Sequence, residues 1–250
     1  MPKITTLLFA AFLSLTCIGL YAQTADDVIN NYVTAMGGKE KLLSIKSIYM
    51  EGVSVMGNGT EISTKIYKVQ DKLMRREISS AMFNMTQIIT DKEGWFSNPR
   101  NGGAFEALPE DRLKTQQGEM DCAGPLVNYK EKGHTAEYLG KEDVEGTDCH
   151  KVKLTQKNGQ EATYYFDAKT NLLTRETRKG GGGMGMGGGG GRRPGGGDGE
   201  VKMDYSNYQK TADGYLFAMT VTMGGMGAGM TYEKVEVNKP VDASLYKPQQ

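Results

Sequence analysis

The 250-residue sequence has few of the side chains that enzymes and metal sites use most. It contains two histidines, His134 and His150, three cysteines and one tryptophan. It carries no serine-hydrolase elbow and no zinc-protease helix motif. On a strand, the side chains of Asp148 and His150 would point to one face and that of Cys149 to the other, so the three could not bind one metal ion together. We therefore expect a protein that is not an enzyme, with no catalytic residue, no metal and no cofactor.

An excess of charge of one sign is also missing. Lysine and arginine together number 30, and so do aspartate and glutamate. A balanced surface produces no strong field that would attract nucleic acid or an anionic membrane. We expect no nucleic-acid partner.

Apolar runs are short, and the longest lies at the N-terminus. Lys3 precedes a mostly apolar stretch from Leu7 to Leu20, which is followed by Tyr21-Ala22-Gln23. At about 14 residues this stretch is shorter than the roughly 20 of a spanning helix, and it is typical of a secretory signal peptide. We predict a signal peptide at 1–22, cleaved near residue 22, no later transmembrane segment and a periplasmic location. Lipid attachment at Cys17 is the alternative, but Leu15-Thr16 lacks the small residue that normally precedes such a cysteine.

Two cysteines, Cys122 and Cys149, remain after signal removal. An even pair in an oxidising compartment is a disulfide candidate. Two free buried thiols are the alternative, because sequence alone does not show that the two residues meet.

The clearest fold signal lies at 151–179. Val152 and Leu154 alternate with polar residues, Asn158-Gly159 predicts a hairpin turn, and Tyr164 and Phe166 resume the alternation. Similar period-two patterns recur before and after this stretch. They predict a mainly β protein with about eleven strands in an open, strongly curved antiparallel barrel.

Helices are predicted at few places. Thr24 and Asp27 form a weak capping box at the start of a helix that ends at Gly37-Gly38. Residues 108–117 and 119–129 predict short helices or an ordered crossing segment. We expect a single domain over 23–250.

Glycine and methionine dominate two loops. The stretch 180–199 is mostly glycine and predicts a disordered insertion, and a second loop covers 224–229. Soft thioether groups in or beside these loops could gather Cu(I), although methionine also fills irregular apolar space. The residues concerned are Met184, Met186, Met223, Met226 and Met230.

Short motifs spread over most of the chain resemble the periplasmic lipoprotein-carrier superfamily, the outer-membrane lipoprotein-sorting proteins typified by LolA and LolB, in a Bacteroidetes-type form. The matching residues are Gly37-Gly38 with Leu42, Ile45-Lys46-Ser47 with Gly52, Lys72, Arg75 and Glu77, Asp91 with Gly94-Trp95, Leu126 to Tyr129, Glu137 to Gly140 with Gly146, Tyr164 to Leu173, Asp204-Tyr205 with Gly214, and Glu236 to Asn238. The chain departs from the resembled pattern at Phe217-Ala218, where a proline commonly follows the aromatic residue, and in the glycine insertion.

This resemblance implies an incomplete barrel with lid-like helices over an apolar cavity that shelters acyl chains of lipids or lipoproteins. Arg75 would hold the lid by hydrogen bonds to its backbone; a strand arginine paired with Glu77 is the alternative. Trp95 packs the core or lines the cavity. The residues expected to line the cavity are Ile48, Met50, Ile66, Met74, Ile78, Phe166, Phe217 and Met219.

A second hypothesis keeps the fold and fills its interior with side chains. The protein would then be a structural or interaction module of the cell envelope, with its loops contacting an envelope protein partner. Fold alone does not decide between these functions.

Overall fold

A single curved, open antiparallel sheet forms most of the computed structural model, which describes residues 23–249 except 98, 100, 101, 180–199 and 225–228. The predicted fold class is confirmed. The 13 strands of the sheet are β1 Ser47–Val55, β2 Glu61–Val69, β3 Leu73–Ser80, β4 Asn84–Thr90, β5 Gly94–Ser97, β6 Phe105–Ala107, β7 Thr135–Val144, β8 Thr147–Thr155, β9 Glu161–Asp167, β10 Leu173–Lys179, β11 Glu200–Lys210, β12 Leu216–Met223 and β13 Gly229–Val237.

Strand order shows how the chain closes the sheet. The order is β6-β5-β4-β3-β2-β1-β13-β12-β11-β10-β9-β8-β7, so successive strands pair except β6 and β7, which form the two edges, and the last strand, β13, pairs with the first, β1. The chain therefore runs out to one edge at β6, crosses to the opposite edge at β7 and comes back. This crossing contains helix α3, Glu110–Gln116, and a 3-10 helix, Gln117–Met120. We call residues 110–120 the cover segment.

Helix α1, Ala25–Ala35, begins where the sequence predicts. The Thr24 hydroxyl accepts the Asp27 backbone N–H at 3.2 Å, and the Asp27 carboxylate accepts the Thr24 N–H at 3.0 Å. This capping box satisfies donors that the first helical turn leaves unpaired. Val28, Ile29 and Val33 form the buried stripe of the helix, and the short helix α2, Lys39–Leu43, follows.

The core has one large and two small parts. The large cluster joins α1 to the inner face of the sheet through 18 buried residues, among them Ile29, Val152 and Phe166. A small cluster of Met74, Ile89, Leu113 and Met120 lies beneath the cover segment. A third, of Val144, Cys149 and Tyr165, lies on the outer face.

Gly52 lies inside a period-two strand pattern, where a glycine predicts a bulge or bend, and β1 is irregular at this position. The register between β1 and β13 shifts at Glu51/Gly52, which brings Tyr232 opposite Gly52. A Cβ atom at Gly52 would lie 2.5 Å from the Thr231 carbonyl oxygen, a distance that real side chains do not adopt. The missing side chain therefore permits the bulge.

Some predictions differ from the structure, and others fall outside its described part. The sheet has more strands than the predicted eleven, and the three-residue β6 is too short to show a periodic pattern. For residues 119–129 the structure agrees with the ordered crossing segment and not with a second helix, because the stretch 121–133 forms bends and turns. The signal peptide at 1–22 and the insertion at 180–199 lie outside the described residues.

We predict that Gly52→Ala destabilises the protein by about 1 to 3 kcal/mol, because the new methyl group forces the β1–β13 bulge apart. Urea unfolding measures the change. Gly57→Ala is the matched control, since a Cβ there meets nothing within 4 Å, and its effect should stay within about 0.5 kcal/mol. Equal effects of both substitutions would contradict this role of Gly52.

Candidate functional site

Strand register places the predicted cavity-lining residues on the inner face of the sheet. Met50 on β1 lies opposite Ile66 on β2. Lys68 on β2 lies opposite Ile48 on one neighbouring strand and opposite Met74 on the other, so these three residues form one row across the sheet. Residues on one row or two positions apart point to the same face. The same argument, with packing against the α1 cluster, places all eight together: Ile48, Met50, Ile66, Met74, Ile78, Phe166, Phe217 and Met219. Their role in binding stays a prediction.

The half of the inner face beneath α1 is filled with side chains. Phe166 is 1% exposed, and its ring centroid lies 5.1 Å from that of Tyr32 on α1. Val152 and Leu154 have no exposed surface. Ile48 and Phe166 therefore pack the permanent core, and Met50 and Phe217 lie at its margin.

The half beneath the cover segment is closed by fewer apolar contacts. Leu113 and Met120 reach down to Met74 and Ile89, and Leu108 packs beside them. The cover segment contributes two buried apolar side chains, Leu113 and Met120, whereas α1 contributes four to the large cluster and has Tyr32 and Met36 packed beside them. Because apolar burial scales with the area removed from water, the cover segment is held less firmly than α1.

Between the two covers, the inner face stays partly open. All eight residues of β12 are half-buried, including Met219, Val221 and Met223. Ile78 on β3 and Met230 on β13 are also half-buried. The apolar strip along β12, with Met230 beside it, is the candidate binding surface, and Ile78 adds an apolar side chain on the same face.

Arg76 attaches the cover segment to the sheet. Its guanidinium donates to the Glu119 carboxylate at 3.0 Å and to the Gln87 side-chain oxygen at 3.2 Å. Gln87 in turn donates to Gln116 at 3.1 Å. A second attachment comes from Gln117, which donates to the backbone oxygens of Thr90 and Asp91 at 3.2 and 3.0 Å. We use the term latch for the first set of contacts, which joins Arg76, Glu119, Gln87 and Gln116.

Arg75 does not belong to this latch. It lies on the outer face and is 4% exposed. Its guanidinium donates to Glu77 at 2.7 Å and to the Leu245 and Lys247 carbonyls at 3.1 and 3.4 Å. The predicted bonds to backbone carbonyls exist, but they hold the C-terminal 3-10 helix, Ala243–Tyr246, and the residues after it. Consecutive strand residues face opposite ways, so a one-residue difference separates the two arginines. Trp95 is also on the outer-facing row, opposite Ile88.

A buried acidic group lies on the filled half. Glu176 is 5% exposed; it accepts the Tyr205 hydroxyl at 2.9 Å and pairs with Arg178 at 2.9 Å. Burial, and then the charge of Glu176, raise the pKa of Tyr32 to about 12. This arrangement keeps the carboxylate paired and the neighbouring hydroxyl protonated, as a structural polar group in a core requires.

The predicted disulfide is not formed. Cys122 and Cys149 are both free and buried. Cys122 belongs to the α1 cluster on the inner face, whereas Cys149 belongs to the outer-face cluster. The sheet therefore separates the two thiols, and the cysteine count alone could not show this.

No metal centre appears within the part of the chain that the structure describes. It holds no group of three or more histidine, cysteine or acidic side chains placed to bind an ion. His150 shares a hydrogen bond of 3.0 Å with Tyr138, and the ring of His134 accepts the Lys157 backbone N–H at 3.1 Å. Met184, Met186 and Met226 of the Cu(I) alternative lie outside the described residues.

Two open hollows lie away from the apolar strip. One, of about 370 Å³, is lined by the start of α1 and by Tyr129, Lys130 and His134. The other, of about 250 Å³, lies between β5 and the cover segment, next to Trp95 and Leu113. Polar and charged side chains line much of the first hollow. The second is lined mainly by apolar residues, among them Trp95, Leu108 and Leu113, with Lys92, Glu93 and Glu110 beside them.

Solved structures share this fold at low sequence identity. A DUF1329 family protein from Desulfovibrio piger matches with a TM-score of 0.56 and 14% identity, over 90% of this chain and 98% of that one. A LolA superfamily protein from Nitrosomonas europaea matches with a TM-score of 0.53 and 9% identity, over 91% and 99%. The chain therefore has the fold of LolA superfamily proteins, and the predicted resemblance is confirmed at the level of fold.

No protein-family model and no curated protein matches the chain. Among the described residues, no helix is long and apolar enough to cross a membrane.

We predict that both thiols react slowly in the native protein. Burial raises the pKa of Cys122 to about 11 and also raises the pKa of Cys149, so the reactive thiolate is scarce at pH 8. A disulfide-exchange dye should label the chain that lacks residues 1–22 slowly when folded, and should label two thiols when it is unfolded. A chain that is unlabelled after unfolding until a reductant is added would show that the cysteines are bonded.

Proposed function

We propose that this protein is a periplasmic binding or carrier protein that shelters the acyl chains of lipids or lipoproteins on the inner face of its sheet. The observation that carries the proposal is the half-buried apolar strip along β12, together with the apolar patch of Met74 and Ile89 on the same face, which the cover segment closes with Leu113, Met120 and a polar latch. Likeness of fold to a LolA superfamily protein supports it. The secretory pattern of residues 1–22 supports the location.

Apolar contact suffices for affinity in such a site. Burying one methylene contributes about 0.8 kcal/mol, so a chain of a dozen contributes roughly 10 kcal/mol before the costs of ordering. Methionine suits this task because its flexible thioether adapts to chains of different shape. Met219, Met223 and Met230 lie along the strip.

Displacement of the cover segment would extend the strip. Met74 and Ile89 have no exposed surface while Leu113 and Met120 lie over them. Moving the cover segment breaks the ion pair between Arg76 and Glu119 and the bond between Gln87 and Gln116. The ligand's apolar chain would replace the lost contacts, so binding and opening are coupled.

A second function, an envelope interaction module with a filled interior, is favoured by one observation. The α1 half of the inner face is packed with buried side chains and leaves Phe166 only 1% exposed. In that case the half-buried strip along β12 would contact a protein partner of the envelope in place of a lipid.

Binding of a fluorescent fatty acid tests the proposal, and Ile78→Asp sharpens it. Wild-type protein purified from a periplasm should carry lipid in native mass spectrometry and should take up the probe after delipidation. Ile78 is half-buried on the inner face, so a carboxylate there should weaken uptake at least about tenfold, because an unpaired charge in an apolar site is costly.

Ser79→Asp is the matched control. Ser79 is the next residue of β3 and is exposed on the outer face, so the same charge there should leave uptake unchanged. Absence of both copurified lipid and probe uptake in the wild type would overturn the carrier function and favour the interaction module. Equal losses in the two variants would show that uptake does not use the inner face.

A further inference from the structure

Lys68 is a cation on the inner face without a partner. It opposes Met74 on β3, so its side chain points to the same face as Arg76. Among the described residues it makes no hydrogen bond and no ion pair, although the neighbouring Lys65 pairs with Glu51 on the outer face. Burial lowers the pKa of the Lys68 ammonium, and the carboxylates of Glu119 and Asp121 act in the opposite direction. A half-buried ammonium without a partner has lost part of its hydration, and an anion beside it would offset that loss.

Arg76 lies beside this lysine on the inner face, and the charge of Arg76 also reaches Tyr232. Arg76 on β3 lies opposite Ile66 on β2, and Lys68 is two residues beyond Ile66 on the same strand. The side chains of Lys68 and Arg76 are therefore diagonal neighbours on one face of the sheet. The charge of Arg76 acts on both Lys68 and the hydroxyl of Tyr232, which burial keeps protonated by raising its pKa. Tyr232 reaches this face through the bulge at Gly52. Its hydroxyl makes no hydrogen bond within the described part of the chain.

The polar atoms of Lys68 and Tyr232 are reachable from solvent. Among the described residues, the buried side-chain polar atoms that lack a hydrogen-bond partner are Asn128 Oδ1 and Arg178 Nε, and the second of these is held by the ion pair with Glu176. The Lys68 ammonium and the Tyr232 hydroxyl also lack a partner within this part of the chain but are not among these buried atoms, so both retain contact with solvent. Lys68 and Tyr232 are half-buried. Each of these polar groups thus faces accessible space at the inner face.

The charged side chains around Lys68, counted with it, include one more cation than anions. The cations are Lys68, Arg76 and Lys132, and the anions are Glu119 and Asp121. Glu119 pairs with Arg76 at 3.0 Å, and Asp121 pairs with Lys132 at 2.5 Å. One positive charge is left over. Withdrawal of Glu119 with the cover segment would leave two neighbouring cations without a counter-charge.

We propose that Lys68, Arg76 and Tyr232 form a subsite for the anionic head of an acyl-chain ligand, a carboxylate or a phosphate, and that Glu119 occupies part of this subsite while the cover segment is closed. The inference rests on the proposed function, and it narrows the ligand class to anionic lipids. The head group would replace Glu119 on Arg76, pair with the ammonium of Lys68 and accept the Tyr232 hydroxyl. Charge-assisted hydrogen bonds of this kind are the stronger ones in proteins.

Lys68→Met tests the subsite by separating head-group recognition from chain binding. The probes are a fluorescent fatty acid, its methyl ester and an alkyl phosphate of equal chain length. Wild-type protein should bind the two anionic probes roughly tenfold or more tightly than the ester, since hydrogen bonds to charged groups contribute about 1.5 to 3 kcal/mol. Lys68→Met should remove most of this preference while ester binding is kept. The tighter of the two anions identifies the head group.

Lys65→Met is the matched control. Lys65 lies three positions away on β2, faces outward and has a 42% exposed side chain, so its loss should leave the preference unchanged. Glu119→Gln removes the internal competitor and should raise the preference for the anions over the ester. An equal gain for all three probes would contradict the competition and show only a looser latch.

Failure of the subsite is distinguishable from failure of the carrier function. Wild-type protein that binds ester and anions equally would overturn the subsite while the carrier function stands. Loss of the preference in Lys65→Met as well as Lys68→Met would assign it to general surface charge and also overturn the subsite. Absence of binding by all three probes would overturn both.

Discussion

The structure depends on one connection, in which the chain crosses from the β6 edge of the sheet to the β7 edge. Neighbouring strands on either side of the crossing follow one another along the chain, mostly over short connections, with the stretch 180–199 between β10 and β11 as the long exception. The crossing has to pass over the sheet, and it passes on the inner side, where Leu113 and Met120 meet Met74 and Ile89. The topology thus places a separate helical piece over an apolar surface.

The two covers of the inner face differ in kind. Helix α1 contributes a buried stripe to a cluster of 18 buried side chains and is fixed by its capping box. The cover segment adds two buried apolar side chains, Leu113 and Met120, and a latch of polar contacts. Polar contacts at a partly exposed site have a net value of about 1 kcal/mol each, because water can replace them. One cover is therefore structural, while the other is suited to movement.

The sequence alone predicted much of the fold for physical reasons that can be named. Alternation in Val152, Leu154, Tyr164 and Phe166 has the period of a half-buried strand, and the capping box at Thr24 is a local motif. Both features depend on neighbouring residues only. Gly52 was likewise identified as a bulge position because a glycine within a strand has few other uses.

Other features were beyond prediction because they depend on distant parts of the chain. Arg75 and Arg76 are adjacent and equal in charge, and only the register decides that Arg76 meets the cover segment. Cys122 and Cys149 are separated by the sheet itself, a relation that spacing does not encode. Lys68 looks like any strand lysine in sequence, and its lack of a partner became visible only with its neighbours in place.

Hydrogen exchange followed by mass spectrometry tests the division of the inner face most directly. If the cover segment moves and α1 does not, amides of residues 110–120 should exchange much faster than those of Ala25–Ala35, and their protection should change on addition of a long-chain fatty acid while that of α1 stays constant. Equal protection of the two segments, unchanged by the fatty acid, would contradict the account.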